Sequence, residues 1–466
     1  MSLVKSISGF RGTIGGKSQD NLTPENLVGF VSAFAQLIKE KTGKDKITIL
    51  IGRDARISGP MVSHIVIGTL MACGVDVIDT GLSTTPTTEV AVVDNNADGG
   101  IIITASHNPI QWNALKFLNS DGEFISKQEG ERVLELAAQN DFSFADAQKL
   151  GSYKQVDYAV DKHIEKVLNL KLVDVQAIKE ANFRVAFDSV NSTGGFVLKK
   201  LLKALGVEQV FALNDEPTGV FTHNPEPLPE NIKDICDVVE KEHCDVGFIV
   251  DPDVDRLAIV TNTGRPFVEE YTLVAVADYV LEHTPGNTVS NLSSSKALRD
   301  ITEKKYHQSY SAAAVGEVNV IAKMKETNAV IGGEGNGGVI YPECHYGRDA
   351  LVGIALFLTL LAKRHTTVRD LKDTLPQYVI AKKKMELTPE LDVDLILNNI
   401  AEKYSNYDVI TIDGVKINFE NEWVHLRKSN TEPIIRIYAE SNSMTTAEHL
   451  ANVIIEDITN IIRENL

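Results

Sequence analysis

The sequence predicts an α/β fold made of duplicated domains, followed by a smaller C-terminal α+β domain. Three observations lead there. A unit of strand, loop, helix, glycine and strand recurs at intervals of over a hundred residues. The strands are short β-branched runs that end abruptly in small, polar residues. Beyond about residue 377 the pattern changes to two amphipathic helices around short strand-like runs. Strands alternating with helices imply mixed or parallel sheets covered by helices. Repetition over so long a distance means duplicated domains, since solenoid repeats are far shorter. At 466 residues the chain has room for several domains of about 100–200 residues each.

The first copy of the unit opens at Lys46-Ile47-Thr48-Ile49-Leu50-Ile51-Gly52-Arg53-Asp54, runs through a helix to Cys73-Gly74-Val75 and reaches a second strand at Asp76. The second opens at Phe183-Arg184-Val185-Ala186-Phe187-Asp188, with a helix over 195–205, then Gly206-Val207 and a strand near Gln209-Val210-Phe211. A looser third copy starts at Asn287-Thr288-Val289. In the first two copies the glycine suits a helix C-cap. A charged helical stretch over 127–150 closes the first domain near Gly151-Ser152. A helix over 350–363 closes the third, and the last domain carries helices over 391–404 and 446–463.

Composition narrows the function. Hydrophobic content of 43% suffices for ordinary globular cores. No apolar run approaches the roughly 18 residues that span a bilayer, and the N-terminus has no secretory h-region, so the expectation is a cytoplasmic protein without a membrane partner. Cys73, Cys236, Cys244 and Cys344 show no metal-ligand spacing and read as reduced thiols. A net charge of −18 argues against nucleic acid. An anionic substrate would need cations gathered locally, and Arg11, Lys116, Arg256, Lys296, Arg427 and Arg436 can supply them.

The chemistry-bearing stretches follow in order. Ile7-Ser8-Gly9-Phe10-Arg11-Gly12-Thr13-Ile14-Gly15-Gly16 reads as a glycine-rich loop; it could approach an anion or be a flexible turn, and it lacks the ending of a nucleotide P-loop. Ile101-Ile102-Ile103-Thr104-Ala105-Ser106-His107-Asn108-Pro109 puts Ser106 at the carboxyl end of a buried strand, where open α/β sheets place ligand chemistry. Ser106 is a nucleophile there if His107 or Lys116 activates it; otherwise the stretch is a turn capped by Ser106 and Asn108. Asp251, Asp253 and Asp255 alternate after the strand Val246-Gly247-Phe248-Ile249-Val250. Hard carboxylate oxygens at this density suit Mg²⁺. An EF-hand fails, because its positions six and twelve hold Arg256 and Asn262 instead of Gly and Glu; a solvated acidic turn is the plain alternative. Gly332-Gly333-Glu334-Gly335-Asn336-Gly337-Gly338 offers Glu334 and Asn336 to vicinal hydroxyls, or is a hinge. Arg427-Lys428-Ser429-Asn430-Thr431-Glu432-Pro433 gathers a guanidinium, two hydroxyls and an amide suited to a phosphate dianion, or is an exposed loop. Residues 221–230 are proline-rich and read as a rigid connector.

These four loops, Thr104 to Pro109, Asp251 to Arg256, Gly332 to Gly338 and Arg427 to Pro433, stand in the order of the signature loops of the α-D-phosphohexomutases, which the chain resembles from Gly9-Phe10-Arg11-Gly12 to its last phosphate loop. That family contains the phosphoglucomutases, phosphomannomutases and phosphoglucosamine mutases. The resemblance implies three related α/β domains and a smaller C-terminal domain around a central cleft: a phosphoserine domain over 1–152, a metal-binding domain over 153–258, a sugar-binding domain over 259–376 and a phosphate-binding domain over 377–466. It implies that Ser106 carries a phosphoryl group and completes an Mg²⁺ site with the three aspartates. Hexose 1- and 6-phosphates would then interconvert through a hexose 1,6-bisphosphate. It implies Arg11 and His107 at the transfer site and Lys116 as general acid/base, which as a base needs a lowered pKa. It also implies Arg256, Lys296, Glu334, Asn336, Arg427, Ser429, Asn430, Thr431 and Arg436 on the substrate. Many family members carry serine where this chain has Asn336. The N-terminal and Asn336 loops resemble phosphoglucosamine mutases most, with phosphoglucomutase/phosphomannomutase activity the near alternative and a metal-dependent sugar phosphatase the remote one. The expected assembly is a monomer or homodimer.

Overall fold

The computed structural model describes residues 3–6, 9–388, 391–428 and 434–464. The chain folds into two compact units, one formed by residues 1–272 and 337–371, the other by 273–336 and 372–466. Across them run four domains, three with mixed sheets and a last one with an antiparallel sheet.

The first sheet contains β1 (Val4–Ser6), β2 (Gly9–Thr13), β3 (Thr48–Arg53), β4 (Asp76–Leu82), β5 (Gly99–Ile103), β6 (Trp112–Leu118) and β7 (Tyr153–Gln155), in the order β1-β2-β6-β5-β3-β4-β7. Strands β5, β3, β4 and β7 run parallel, and β6, β2 and β1 return antiparallel. Helix Pro24–Thr42 lays Phe30 and Phe34 on this sheet, where Phe34 stacks on Phe117 of β6. The glycine-rich stretch expected to be a loop is therefore largely strand: β2 pairs Gly9 with Lys116 and Arg11 with Ala114. At Gly9 φ is +149°, and a side chain would run into the Leu115 carbonyl, so the glycine serves strand approach rather than loop freedom.

The second sheet contains β8 (Arg184–Asp188), β9 (Gln209–Leu213), β10 (Val246–Val250) and β11 (Leu257–Thr261), in the order β11-β10-β8-β9. Its core gathers Ala186, Ile235, Val239, Ile249, Ala258 and Val260. In the second unit, β12 (Thr288–Asn291) runs parallel to both β13 (Tyr310–Ala313) and β14 (Ile331–Glu334). The three repeats thus share one plan, β4-β3-β5, β9-β8-β10 and β13-β12-β14. Their helix-to-strand turns match as well. Gly74 and Gly206 take φ of +73° and +82°, and in the looser third copy His307 takes +55° at the same point, a left-handed position that histidine tolerates better than most residues.

Two expected boundaries shift. The first sheet takes in β7, beyond residue 152, and β11 stays paired with β10 to Thr261, beyond residue 258. The helical stretch expected over 127–150 ends at Gln139, where Asn140 closes it in the left-handed region. Strand β15 (Gly338–Ile340) and helix Ala350–Arg364 belong to the first unit. That helix is apolar all round and buried against helices Ala159–Leu168 and Val175–Ala181. The last domain holds β16 (Val379–Glu386), β17 (Asp408–Ile410), β18 (Val415–Asn418), β19 (Trp423–Lys428) and β20 (Ile434–Ser441), antiparallel in the order β16-β20-β19-β18-β17. Helices Val393–Lys403 and Met444–Glu464 cover one face through Ile396, Ile400, Ile454 and Ile458. Among the described residues no single helix is long and apolar enough to cross a membrane, and all four cysteines are free thiols.

Candidate active site

In the first unit, the loop after β5 meets the loop after β10. Ser106 has φ of +50°, uncommon for a side chain other than glycine, asparagine or aspartate, and its Oγ donates to Asp251 Oδ2 at 2.8 Å. The His107 Nδ1 lies 3.4 Å from the same Oγ. Asp251, Asp253 and Asp255 are all 0% exposed, with donor atoms within 4.8 Å of one another. Pro252 and Asp253 hold their loop in place through backbone carbonyls: the Pro252 carbonyl accepts from Ser192 and Thr193, and that of Asp253 from the Thr85 amide. Thr85 Oγ1 also donates to Asp253 Oδ2 at 2.6 Å.

Three buried carboxylates repel one another. Burial first, then the charges of Asp255 and Asp253, push Asp251 well above the usual carboxylate range. Asp253 moves the other way: burial alone would raise it, but Lys116, whose Nζ is 2.8 Å from Oδ2, outweighs that. Arg348 donates to Asp255 Oδ2. Asp253 Oδ1 and Asp255 Oδ1 are still buried without a hydrogen-bond partner among the described residues. Hard oxygen donors, left partly unpaired and mutually repelling, fit a divalent cation of the Mg²⁺ type.

For Lys116 the resemblance implies a general acid/base. A lysine base needs a depressed pKa; burial pulls Lys116 that way, but Asp253 and Asp255 outweigh it and the group is raised. As placed it is an ammonium and a proton donor. His107 behaves oppositely: burial, then the charges of Arg256, Arg11 and Arg348, hold it well below the usual histidine range despite the counter-pull of Asp253. Arg11, on β2, is one of the charges that act on His107. Arg256 points its Nη1 at Glu226 Oε1, 3.4 Å away, while its backbone amide donates to Asp251 Oδ1 at 3.2 Å. Glu226 lies in the proline-rich segment expected to be a mere connector, and its Oε1 is also 3.8 Å from His107.

A second group of expected residues lies in the second unit. Glu334 ends strand β14, because pairing with β12 carries the strand through Gly332 and Gly333 in spite of their low strand propensity. It is buried, and its Oε1 accepts from Asn291 Nδ2 at 2.7 Å and from the Gly316 amide at 3.1 Å. Asn336 follows two residues on. Arg427 and Arg436 are direct cross-strand partners on β19 and β20, so both project from one face of the sheet. The Arg427 Nε lies 2.9 Å from Asp413 Oδ2. Ser429, Asn430 and Thr431 lie outside the described residues. Lys296 opens helix Lys296–Asp300. Its ammonium donates to the Glu420 carbonyl at 3.1 Å, and it lines a cavity of about 520 Å³ with Arg299, Lys416 and Trp423.

Arg56, Asp54, Arg348 and Asn291 escaped the sequence reading. A charged pair just past a buried strand, as in Arg53-Asp54-Ala55-Arg56, was the one available signal. The histidines and carboxylates around Asp349 form a separate buried cluster. His163 and His345 both reach Asp349 Oδ2, at 2.8 and 3.0 Å. The other ring nitrogens face Thr87 and Glu89, and Asp349 Oδ1 caps helix Ala350–Arg364. Cys344 Sγ is close enough to make this a four-donor group, in which Asp349 Oδ2 already takes one nitrogen of each histidine.

The chain matches one family domain by domain. It fits phosphoglucomutase/phosphomannomutase alpha/beta/alpha domain I over residues 4–144, domain II over 161–264, domain III over 269–378 and the C-terminal domain over 379–457. It is 37% identical to a phosphoglucomutase/phosphomannomutase of Thermococcus kodakarensis, over 93% of this chain and 94% of that one. It is 33% identical to a phosphoglucosamine/phosphogalactosamine mutase of Sulfurisphaera tokodaii, over 97% and 98%. A crystal structure of a phosphoglucomutase/phosphomannomutase family protein from Burkholderia thailandensis superposes with a TM-score of 0.84 at 25% identity, covering 97% of this chain and 96% of that one.

Proposed function

The chain belongs to the phosphoglucomutase/phosphomannomutase family and is an intramolecular phosphotransferase of the phosphohexomutase class, and from that premise we propose that it interconverts hexose 1-phosphate and hexose 6-phosphate in the cytoplasm through a phosphoserine at Ser106 and a hexose 1,6-bisphosphate. The observation that carries this is the Ser106 Oγ, 2.8 Å from Asp251 within three buried carboxylates. A serine so placed can hold a phosphoryl group beside a cation. Phosphoryl transfer asks of a protein chiefly positioning and charge neutralisation.

The aspartates would hold Mg²⁺ with the Ser106 phosphate, and the ion would supply charge neutralisation at the phosphoryl oxygens. The remaining work falls to this chain's side chains. A sugar hydroxyl attacks the phosphorus, the Oγ–P bond breaks and its electrons return to Oγ. Lys116, an ammonium, neutralises charge and can protonate the departing Oγ. His107, kept neutral, can take the hydroxyl proton. Glu334 and Asn336 orient the sugar, and Arg11, Arg256, Arg427 and Arg436 hold phosphates, with the 429–431 segment completing the last of these sites. Lys296, whose ammonium donates to the Glu420 carbonyl, is the weaker candidate for a substrate contact.

Glucosamine phosphate is the first choice of substrate, supported by the Sulfurisphaera relative and by the Asn336 loop. Glucose and mannose phosphates are the second, favoured by the more similar Thermococcus relative. A panel of the three 1-phosphates, with 6-phosphate product measured against free phosphate, tests both. The expected result is isomerised product, fastest for glucosamine phosphate, with one phosphate on Ser106 by mass spectrometry. Free phosphate alone would mean a phosphatase and overturn the reading.

A further inference from the structure

We propose that Arg56 is the positioning residue of the transfer site, a buried clamp that fixes the Ser106 loop in the conformation aiming Oγ at the aspartates; the inference rests on Ser106 being the phosphoryl carrier. Arg56 is 0% exposed, and each of its five N–H donors finds an acceptor. Nε donates to Asp54 Oδ2 at 3.1 Å; Nη1 donates to the carbonyls of Pro109 and Trp112 at 2.8 and 3.0 Å; Nη2 donates to those of Ser106 and Asn108 at 2.5 and 2.6 Å. The guanidinium lies over the Phe221 ring, 5.1 Å from its centroid.

The loop carbonyls turn inward, where each would cost free energy without a donor. One planar fork serves four of them, a geometry an ammonium cannot reproduce. Asp54 closes the device: its Oδ2 also accepts from Thr104 Oγ1 at 2.6 Å, and that hydroxyl accepts the Ser106 amide at 2.9 Å. Ser106 is therefore held at both its N–H and its C=O. Its left-handed backbone persists because the surroundings over-determine it. A serine that gains and loses a phosphoryl group in alternate half-reactions needs an anchor that ignores its changing charge. Arg56 touches only the backbone of this loop and so provides one.

The test charges full-length protein with hexose 1,6-bisphosphate and follows single-turnover transfer to hexose 6-phosphate as its concentration varies. Arg56→Ala should slow transfer about a hundredfold, the scale of a 1 Å misplacement, while the half-saturating sugar concentration stays within about threefold. Added guanidinium should restore part of the rate, and amide exchange over 104–112 should quicken. A folded variant with wild-type transfer, or one whose loss lies in sugar affinity alone, overturns the inference. If Arg56→Ala does not fold, Thr104→Val decides. It removes only the hydroxyl between Asp54 and the Ser106 amide and should slow transfer about tenfold; an unchanged rate overturns the clamp. If the wild type never carries phosphate on Ser106, the mutase reading fails instead, and the clamp is then judged on loop exchange in the variant, where unchanged protection overturns it.

Discussion

The first and third repeats use the same turn for opposite electrostatic ends. At the carboxyl end of β3, Asp54 Oδ1 accepts the amide of Arg56 at 2.9 Å; at the end of β12, Asn291 Oδ1 accepts the amide of Ser293 at 2.9 Å. The second repeat shows the same geometry, with Asp188 Oδ1 on the Val190 amide at 2.9 Å. The first- and third-repeat residues also reach the end of a neighbouring strand, Asp54 to Thr104 after β5 and Asn291 to Glu334 at the end of β14. In the first repeat the reaching group is a carboxylate at 0% exposure, and the buried Arg56 accompanies it. In the third it is a neutral amide that donates to a carboxylate. Duplication supplied one backbone device, which holds the adjoining loop through an ion pair with Arg56 in the first repeat and through a single amide in the third.

The comparison breaks most visibly at Arg56. Removing one partner of a buried ion pair leaves an uncompensated charge and costs about 3–5 kcal/mol. Arg56→Ala and Asp54→Asn should each destabilise on that scale in urea unfolding. Asp54→Asn with Arg56→Met removes both charges and should cost less than the sum of the two single variants. A double variant whose cost is the sum of the singles would mean that the pair is not coupled.

Mg²⁺ sharpens the contrast next. Bound at the aspartates, it should stabilise the protein by about 2.7 kcal/mol at a hundred times its Kd, with amide protection in the loops after β5 and β10 and none around β14. Asp253→Asn should remove the effect. Protection at Glu334 rather than at Asp251 would place the cation in the wrong repeat.

Asn291→Asp makes the reverse exchange. It would set a carboxylate against buried Glu334, at a cost of about 1–3 kcal/mol, eased as pH falls and one of the pair takes a proton. A neutral substitution in thermal unfolding would show that the amide does not hold Glu334.

The smallest effect near neutral pH comes from two buried histidines, one in each unit. For His345, burial alone would lower the pKa, but Asp349 and Glu89 outweigh it and push it up to about 9. Its contribution is complete below the unfolded value near 6.5 and is lost as pH rises through 9. His425 is pulled down to about 4, first by burial and then by Lys416 and Arg427, against the hydrogen bond to the Asp413 carbonyl. Its contribution is present above 6.5 and is lost as pH falls towards 4. His345→Gln should flatten the alkaline limb of the stability profile and His425→Gln the acid limb. Interchanged effects would refute the assignment.

The sequence alone determined the elements and the order of their loops. β-branched runs, helix periodicity and glycine punctuation are local properties, and they located β3, β5, β8, β10 and β12 and both helices of the last domain. Residue spacing likewise singled out the three aspartates, because metal-binding chemistry demands carboxylates at short intervals, and the abrupt polar end of β5 singled out Ser106. What only tertiary structure decided depends on partners distant in sequence. Arg56 reaches Ser106 across 50 residues, Arg348 reaches Asp255 across 93, and Lys116 reaches Asp253 across 137. Hence the fold could set Lys116 as an ammonium beside Asp253, carry Glu334 out of its loop onto a strand, and bring Lys296 to a carbonyl of the last domain. Protonation state and side-chain aim are set by burial and by which charges arrive alongside, and neither is encoded in neighbouring residues.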